Sequence, residues 1–133
     1  MPHLFIEHSS NLAGRINLDE LTSTVHQAAL QTGVFPEGGI RTRRVPRDGY
    51  LIADSHADNA FVHLVLRIGV GRDLETRQRA AGEVFDAVCD FLSADMAEFP
   101  LGISLEVQEI VPETSLKKSN LHDYVKQRKA GSK

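Results

Sequence analysis

Pro2, directly after the initiator Met1, offers the most chemistry of any residue in this 133-residue chain. Methionine aminopeptidase removes Met1 readily ahead of a small residue such as proline, and the product would begin with a free secondary amine. An α-amino group titrates near 7.7–8.0, roughly, and burial or neighbouring cations lower that value because both disfavour the charged form. An amine poised near neutrality is a general base that needs no histidine or carboxylate. Taken alone, a Met-Pro start is also an ordinary one, so the weight falls on the rest of the chain. His3 and His63 hold equivalent places in separate strand-like segments and read as core or interface histidines. His56-Ala57-Asp58 has ligand-type side chains but no further ligand at metal spacing. Cys89, beside Val88 in a helical stripe, reads as a packing thiol, and a lone cysteine rules out an internal disulfide framework. Glu75 and Arg79 are spaced for a helical ion pair.

Positioning these groups falls to a structural unit that occurs twice. One copy opens with Pro2-His3-Leu4-Phe5-Ile6-Glu7 and the other with Val62-His63-Leu64-Val65-Leu66-Arg67, both strand-like by alternation and β-propensity. Asn17 and Asp73 are N-cap residues for the helices that follow, with Glu20 at the capping-box position. Leu18, Leu21, Val25 and Ala28 form one apolar stripe, closed by Gly33; Ala81, Val84, Phe85, Val88 and Leu92 form a longer one. Phe35-Pro36-Glu37-Gly38-Gly39-Ile40 then matches Phe99-Pro100-Leu101-Gly102-Ile103, and strands are expected from Ile40 to Val45 and from Ile103 to Ile110.

The expected fold class is therefore α+β: duplicated β-α-β units forming a four-stranded sheet with two helices on one face. Each unit should pair its strands in parallel through a right-handed crossover. Pro46-Arg47-Asp48-Gly49 is a strong turn signal between Arg43-Arg44-Val45 and Tyr50-Leu51-Ile52-Ala53, which predicts an inserted β-hairpin. Phe5, Phe61, Val65, Leu105 and Val107 cannot all face water, so the second sheet face should pack against other subunits.

A single domain is expected over residues 1–126, followed by a polar, basic tail at 127–133 expected to be disordered. Hydrophobic content of 41% and a net charge of −3 fit a globular protein and argue against nucleic-acid binding. No apolar run approaches bilayer length and no secretory leader stands out, which points to the cytoplasm.

Met1-Pro2-His3, the duplicated units and the Gly39-Ile40-Arg41 strand resemble the tautomerase superfamily. More closely, the chain resembles the 5-carboxymethyl-2-hydroxymuconate Δ-isomerases. The matching stretches are Thr32-Gly33-Val34-Phe35-Pro36, Ala60-Phe61-Val62-His63, Ile68-Gly69-Val70-Gly71-Arg72 and Leu74-Glu75-Thr76-Arg77-Gln78, in a similarity running from Met1 to about Lys126. The resemblance implies a homotrimer with its sheets turned inward around a central barrel. It also implies an isomerase that needs no cofactor and no metal, acting on a small multiply carboxylated substrate. Pro2 would be the general base, with Arg41 and Arg72 as electrostatic partners.

The residues can support that chemistry. Arg41 lies just inside the strand after the Phe-Pro-Gly turn, and Arg72 ends a Gly-Val-Gly-Arg loop immediately before the second helix. A guanidinium binds carboxylate through two hydrogen bonds and stays charged, and a helix N-terminus also attracts anions. Two other readings stay open: a tautomerase of another enol acid, and a non-catalytic trimeric binding protein on the same scaffold. Arg43, Arg44 and Arg47 favour a highly charged substrate if they reach the pocket.

Overall fold

The computed structural model describes residues 1–131. Its elements run β1 (His3–Ser9), α1 (Leu18–Gln31), β2 (Arg41–Arg47), β3 (Ala60–Gly69), α2 (Leu74–Phe91), α3 (Ser93–Met96), β4 (Leu101–Ile110) and α4 (Leu121–Gly131). Short 3₁₀ turns occupy Ser10–Leu12, Glu37–Gly39 and Pro112–Thr114.

Both main helices start where their caps place them. The Asn17 and Asp73 side chains accept from the backbone N–H groups of Glu20 and Thr76, at 3.0 and 2.8 Å. Each thereby satisfies a donor that the first helical turn leaves unpaired. Gly33, at φ +70°, follows the end of α1 in the left-handed conformation that glycine tolerates.

The four strands form one sheet in the order β2-β1-β3-β4. β1 pairs with β2 in parallel, β3 with β4 in parallel, and the two units meet antiparallel through β1 and β3. Leu4, Ile6, Val62, Leu64, Leu66 and Ile68 point to one face, where they meet Leu21, Val25, Ala29, Val84, Val88 and Leu92 of the helical layer. Fully burying one such side chain stabilises the fold by about 1.5–3 kcal/mol, which is why the alternation sets the register.

Three expectations are corrected. No hairpin forms after β2. The strand instead runs through Pro46 to Arg47. β2 is an edge strand, where a residue without an N–H is tolerated, and Arg47 is held by an ion pair to Glu7 at 2.8 Å. Ala53 and Ser55 adopt positive φ, and Asn59 bonds the Ile52 carbonyl and the Asp54 side chain, so this segment curls into a loop.

Leu105 and Val107 lie on the helix side of the sheet, in register with Leu64 and Leu66. Phe5, Phe61 and Val65 do line the opposite, open face, where they are half-buried. The tail from Gln127 to Gly131 is the end of α4, while Ser132 and Lys133 lie outside the described residues. Lys129 bonds Glu37 at 2.6 Å, which ties this basic helix end to the turn ahead of β2.

Candidate active site

Pro2 leads into β1, and its carbonyl accepts the Arg41 N–H at 3.1 Å, lacing the chain start to the head of β2. The Pro2 ring is buried against Gly39, where a Cβ would come within 3.2 Å of Pro2 Cδ. This close approach accounts for glycine in the turn between α1 and β2. The Arg41 guanidinium donates back to the Gly39 carbonyl at 3.0 Å.

Arg72 arrives from the loop between β3 and α2, where Gly71 takes φ +115°. Its guanidinium donates to the Gly69 carbonyl at 3.3 Å and lies 5.1 Å over the centroid of the buried Phe35 ring. That contact orients the charge while leaving most of its donors free.

Two recesses adjoin at this end of the sheet. One, of about 250 Å³, is walled by Met1, Pro2, Pro36, Gly39, Gly69, Arg72, Lys117 and His122. The other, of about 280 Å³, holds Arg41 with His3 and again Met1 and Lys117. Neither wall carries an aspartate or glutamate. Among the described residues, Arg41, Arg72 and Lys117 have no carboxylate within ion-pair range. The α-amine that enters this cluster, on Met1, is held below its ordinary value by burial first, then by Lys117, Arg41 and Arg72. Pro2 and Arg72 thus line one recess and Arg41 its neighbour, with Met1 and Lys117 in both walls.

Sequence reasoning missed Lys117 and His122. Both come from the segment after β4, which folds back over the chain start. The available signal was Ser119-Asn120 ahead of Leu121: the Ser119 hydroxyl accepts the Leu121 N–H at 3.1 Å and opens α4. Without the return path of that helix, nothing in the sequence brings residue 117 to residue 2.

The remaining candidates go elsewhere. Arg44 bonds Asp19, Thr22 and the Leu18 carbonyl on the helix side, and Arg47 pairs with Glu7, so neither reaches the recesses. Arg43 stacks 4.1 Å over Phe5 and contacts His3 Nδ1 at 3.1 Å on the open sheet face. Burial, with Arg43 next, lowers the His3 pKa. His63, well along the sheet from His3, contacts Ser104 and Glu106. His56 and Asp58 approach to 3.9 Å, and no metal-holding cluster occurs among the described residues. Cys89 is partly buried, and its thiol is pushed up by burial and by Asp86 and Asp90. Arg79 pairs with Glu83 at 3.2 Å instead of with Glu75.

Comparison with known proteins supplies the family context. A family model described as 5-carboxymethyl-2-hydroxymuconate isomerase matches residues 2–125. A 5-carboxymethyl-2-hydroxymuconate Delta-isomerase from Escherichia coli is 37% identical over 122 residues, covering 92% of this chain and 97% of that protein. The crystal structure of a 5-carboxymethyl-2-hydroxymuconate isomerase from Deinococcus radiodurans R1 superposes with a TM-score of 0.86 at 34% identity, covering 93% of each chain. A fused 4-OT protein described as a symmetric trimer shares the fold at 15% identity and a TM-score of 0.59, covering 87% of this chain and 93% of that one.

Proposed function

Because the chain belongs to the 5-carboxymethyl-2-hydroxymuconate isomerase family, we propose that it isomerises 5-carboxymethyl-2-hydroxymuconate to its 2-oxo isomer, with Pro2 as general base. Once Met1 is removed, the free amine is that of Pro2. In its neutral form it takes the proton from the 2-hydroxyl of the dienol. Charge spreads through the conjugated dienolate, and the same proton is returned from the ammonium to a distant carbon. One proton leaves oxygen, one joins carbon, and no oxidant or cofactor enters the balance.

Arg41 and Arg72 hold substrate carboxylates and stabilise the dienolate as it forms. Their field also favours the neutral form of the amine, so one pair of charges serves binding and base tuning. An iminium at Pro2 is not needed for an enol-to-keto shift. The observation that carries this reading is the placement of buried Pro2 in a recess with Arg72 and Lys117, next to the recess that holds Arg41, with no carboxylate in either wall.

A cytoplasmic homotrimer is part of the same reading. The half-buried Phe5, Phe61 and Val65 leave an apolar strip on the open sheet face that a neighbouring subunit would cover. Among the described residues no helix is long and apolar enough to cross a membrane.

The test is an ultraviolet assay of purified protein, shown by intact mass to lack Met1, against a panel of dienols and enol acids. Turnover of the tricarboxylate dienol is expected. Absence of turnover on every compound would overturn the reading.

A further inference from the structure

We propose that Lys117 is a third carboxylate-binding cation of this site, carried there by a C-terminal strap, and that it makes the site selective for substrates bearing three carboxylates. The inference deepens the isomerase reading and rests on it for the identity of the substrate. That substrate carries two carboxylates on its muconate chain and a third on the carboxymethyl arm.

Lys117 is the residue, with Met1, that both recesses share, so it stands between Arg41 on one side and Pro2 with Arg72 on the other. It is exposed and, among the described residues, forms no ion pair. By contrast, Lys129 on the same strap is paired with Glu37. Like charges gathered without counter-ions raise one another's energy, and an anion bearing several carboxylates relieves all of them at once. An ammonium on a flexible stem acts as a point charge and suits a carboxylate on a mobile arm better than a fixed fork does.

The strap is seated rather than loose. After β4 the chain turns at Pro112–Thr114, crosses the chain start and enters α4. There His122 fills the space above two buried glycines: a Cβ at Gly38 would lie 2.5 Å from His122 Nδ1 and 2.9 Å from its Cα. The Lys129–Glu37 ion pair pins the far end of the helix. Lys117 therefore reaches the pocket at a defined place, five residues ahead of the docked histidine.

The test compares Met1-free wild type with Lys117→Gln, Lys117→Arg and Gly38→Ala. Gly38→Ala removes no charge but displaces the strap. Lys117→Gln should lower kcat/KM for the tricarboxylate dienol by about 10–100-fold, the scale of one lost charged hydrogen bond. On a monocarboxylate enol acid it should change kcat/KM by less than about threefold, where this carboxylate has no counterpart. Lys117→Arg should recover most of the loss, and Gly38→Ala should reproduce the lost selectivity.

In parallel, calorimetry with tricarballylate and with glutarate reads the carboxylate site without turnover. Tricarballylate should bind wild type more tightly than glutarate, and Lys117→Gln should abolish the difference. If wild type fails to turn over the dienol yet shows this Lys117-dependent preference, the isomerase reading falls and the carboxylate site stands. If Lys117→Gln leaves both kcat/KM and tricarballylate binding unchanged, or weakens mono- and tricarboxylates equally, the Lys117 assignment is overturned. Full selectivity in Gly38→Ala would overturn the role given to the strap.

Discussion

At one end of the sheet Arg72 lies 5.1 Å over the Phe35 ring, and at the other Arg15 lies 5.0 Å over the Phe99 ring. Each arginine comes from the loop before a helix of one β-α-β unit, and each phenylalanine opens the Phe-Pro turn of the other. The two ends are copies, yet their charges are handled in opposite ways. Arg15 donates to the Asp58 carbonyl at 2.9 Å and has the Asp58 carboxylate at 3.9 Å. Among the described residues the Arg72 guanidinium has no carboxylate, and its hydrogen bond goes to the Gly69 carbonyl.

The chain itself differs too. At the Arg15 end, Ala60 sits inside a continuous backbone and gives its N–H to the Pro100 carbonyl at 3.0 Å. At the Arg72 end, the equivalent region is the chain start, where an ionisable nitrogen exists. The two ends thus share one scaffold, and the end proposed to transfer the proton is the one whose arginine has no carboxylate partner among the described residues.

Substitutions at the two ends separate these roles. The largest expected effect is at Pro2. Pro2→Ala still offers an amine, but a primary one without the ring's fixed orientation, and kcat should fall by about 10²–10⁴-fold with little change in thermal midpoint. Wild-type turnover in that variant would remove the base role.

Next is the mirror pair. Arg72→Ala should cut kcat/KM by about 10²–10³-fold, the scale of one lost transition-state donor. Arg15→Ala should leave kcat/KM within about twofold and lower the thermal midpoint by about 3–5 °C, since it loses a cation–π contact and a carbonyl bond worth about 1 kcal/mol. Equal kinetic losses at both ends would abolish the contrast.

The pH profile refines it. The base must be neutral, so kcat/KM should be low in acid and rise as pH climbs through the amine pKa. Burial, Lys117, Arg41 and Arg72 lower the pKa of the Met1 amine at this chain start, and the same surroundings should lower that of Pro2 once Met1 is removed. Arg41→Ala or Arg72→Ala should move the acid limb to higher pH, and Arg15→Ala should leave it in place. A limb that ignores all three substitutions would show that the guanidinium field does not tune the base. The smallest effect belongs to Asp58→Asn, whose partly exposed pair should contribute no more than about 1 kcal/mol by thermal unfolding.

Much of this architecture could be read from residue order because it rests on local rules. Asn17 and Asp73 cap, the stripes around Leu21 and Val84 face the core, and strand alternation sets which side is buried. Pro2, Arg41 and Arg72 stood out through residue type and through family resemblance. The misreadings share a cause: each needed a tertiary partner. Pro46 signals a turn unless its strand lies at an edge. The basic residues near the end signal a solvated tail unless Glu37 is there to receive Lys129. Lys117 has no periodicity or motif of its own, and only the docking of His122 on Gly38 and Gly39 gives it an address.

Gly39 has one more consequence. With no side chain beneath it, the Pro2 ring rests on main chain whose N–H and carbonyl are already committed, to Pro36 and to Arg41. A support of that kind has no rotamers to sample. On the proposed mechanism the aim of the Pro2 nitrogen is therefore set by the peptide framework beneath it, and substrate preference is set by the side chains of the walls.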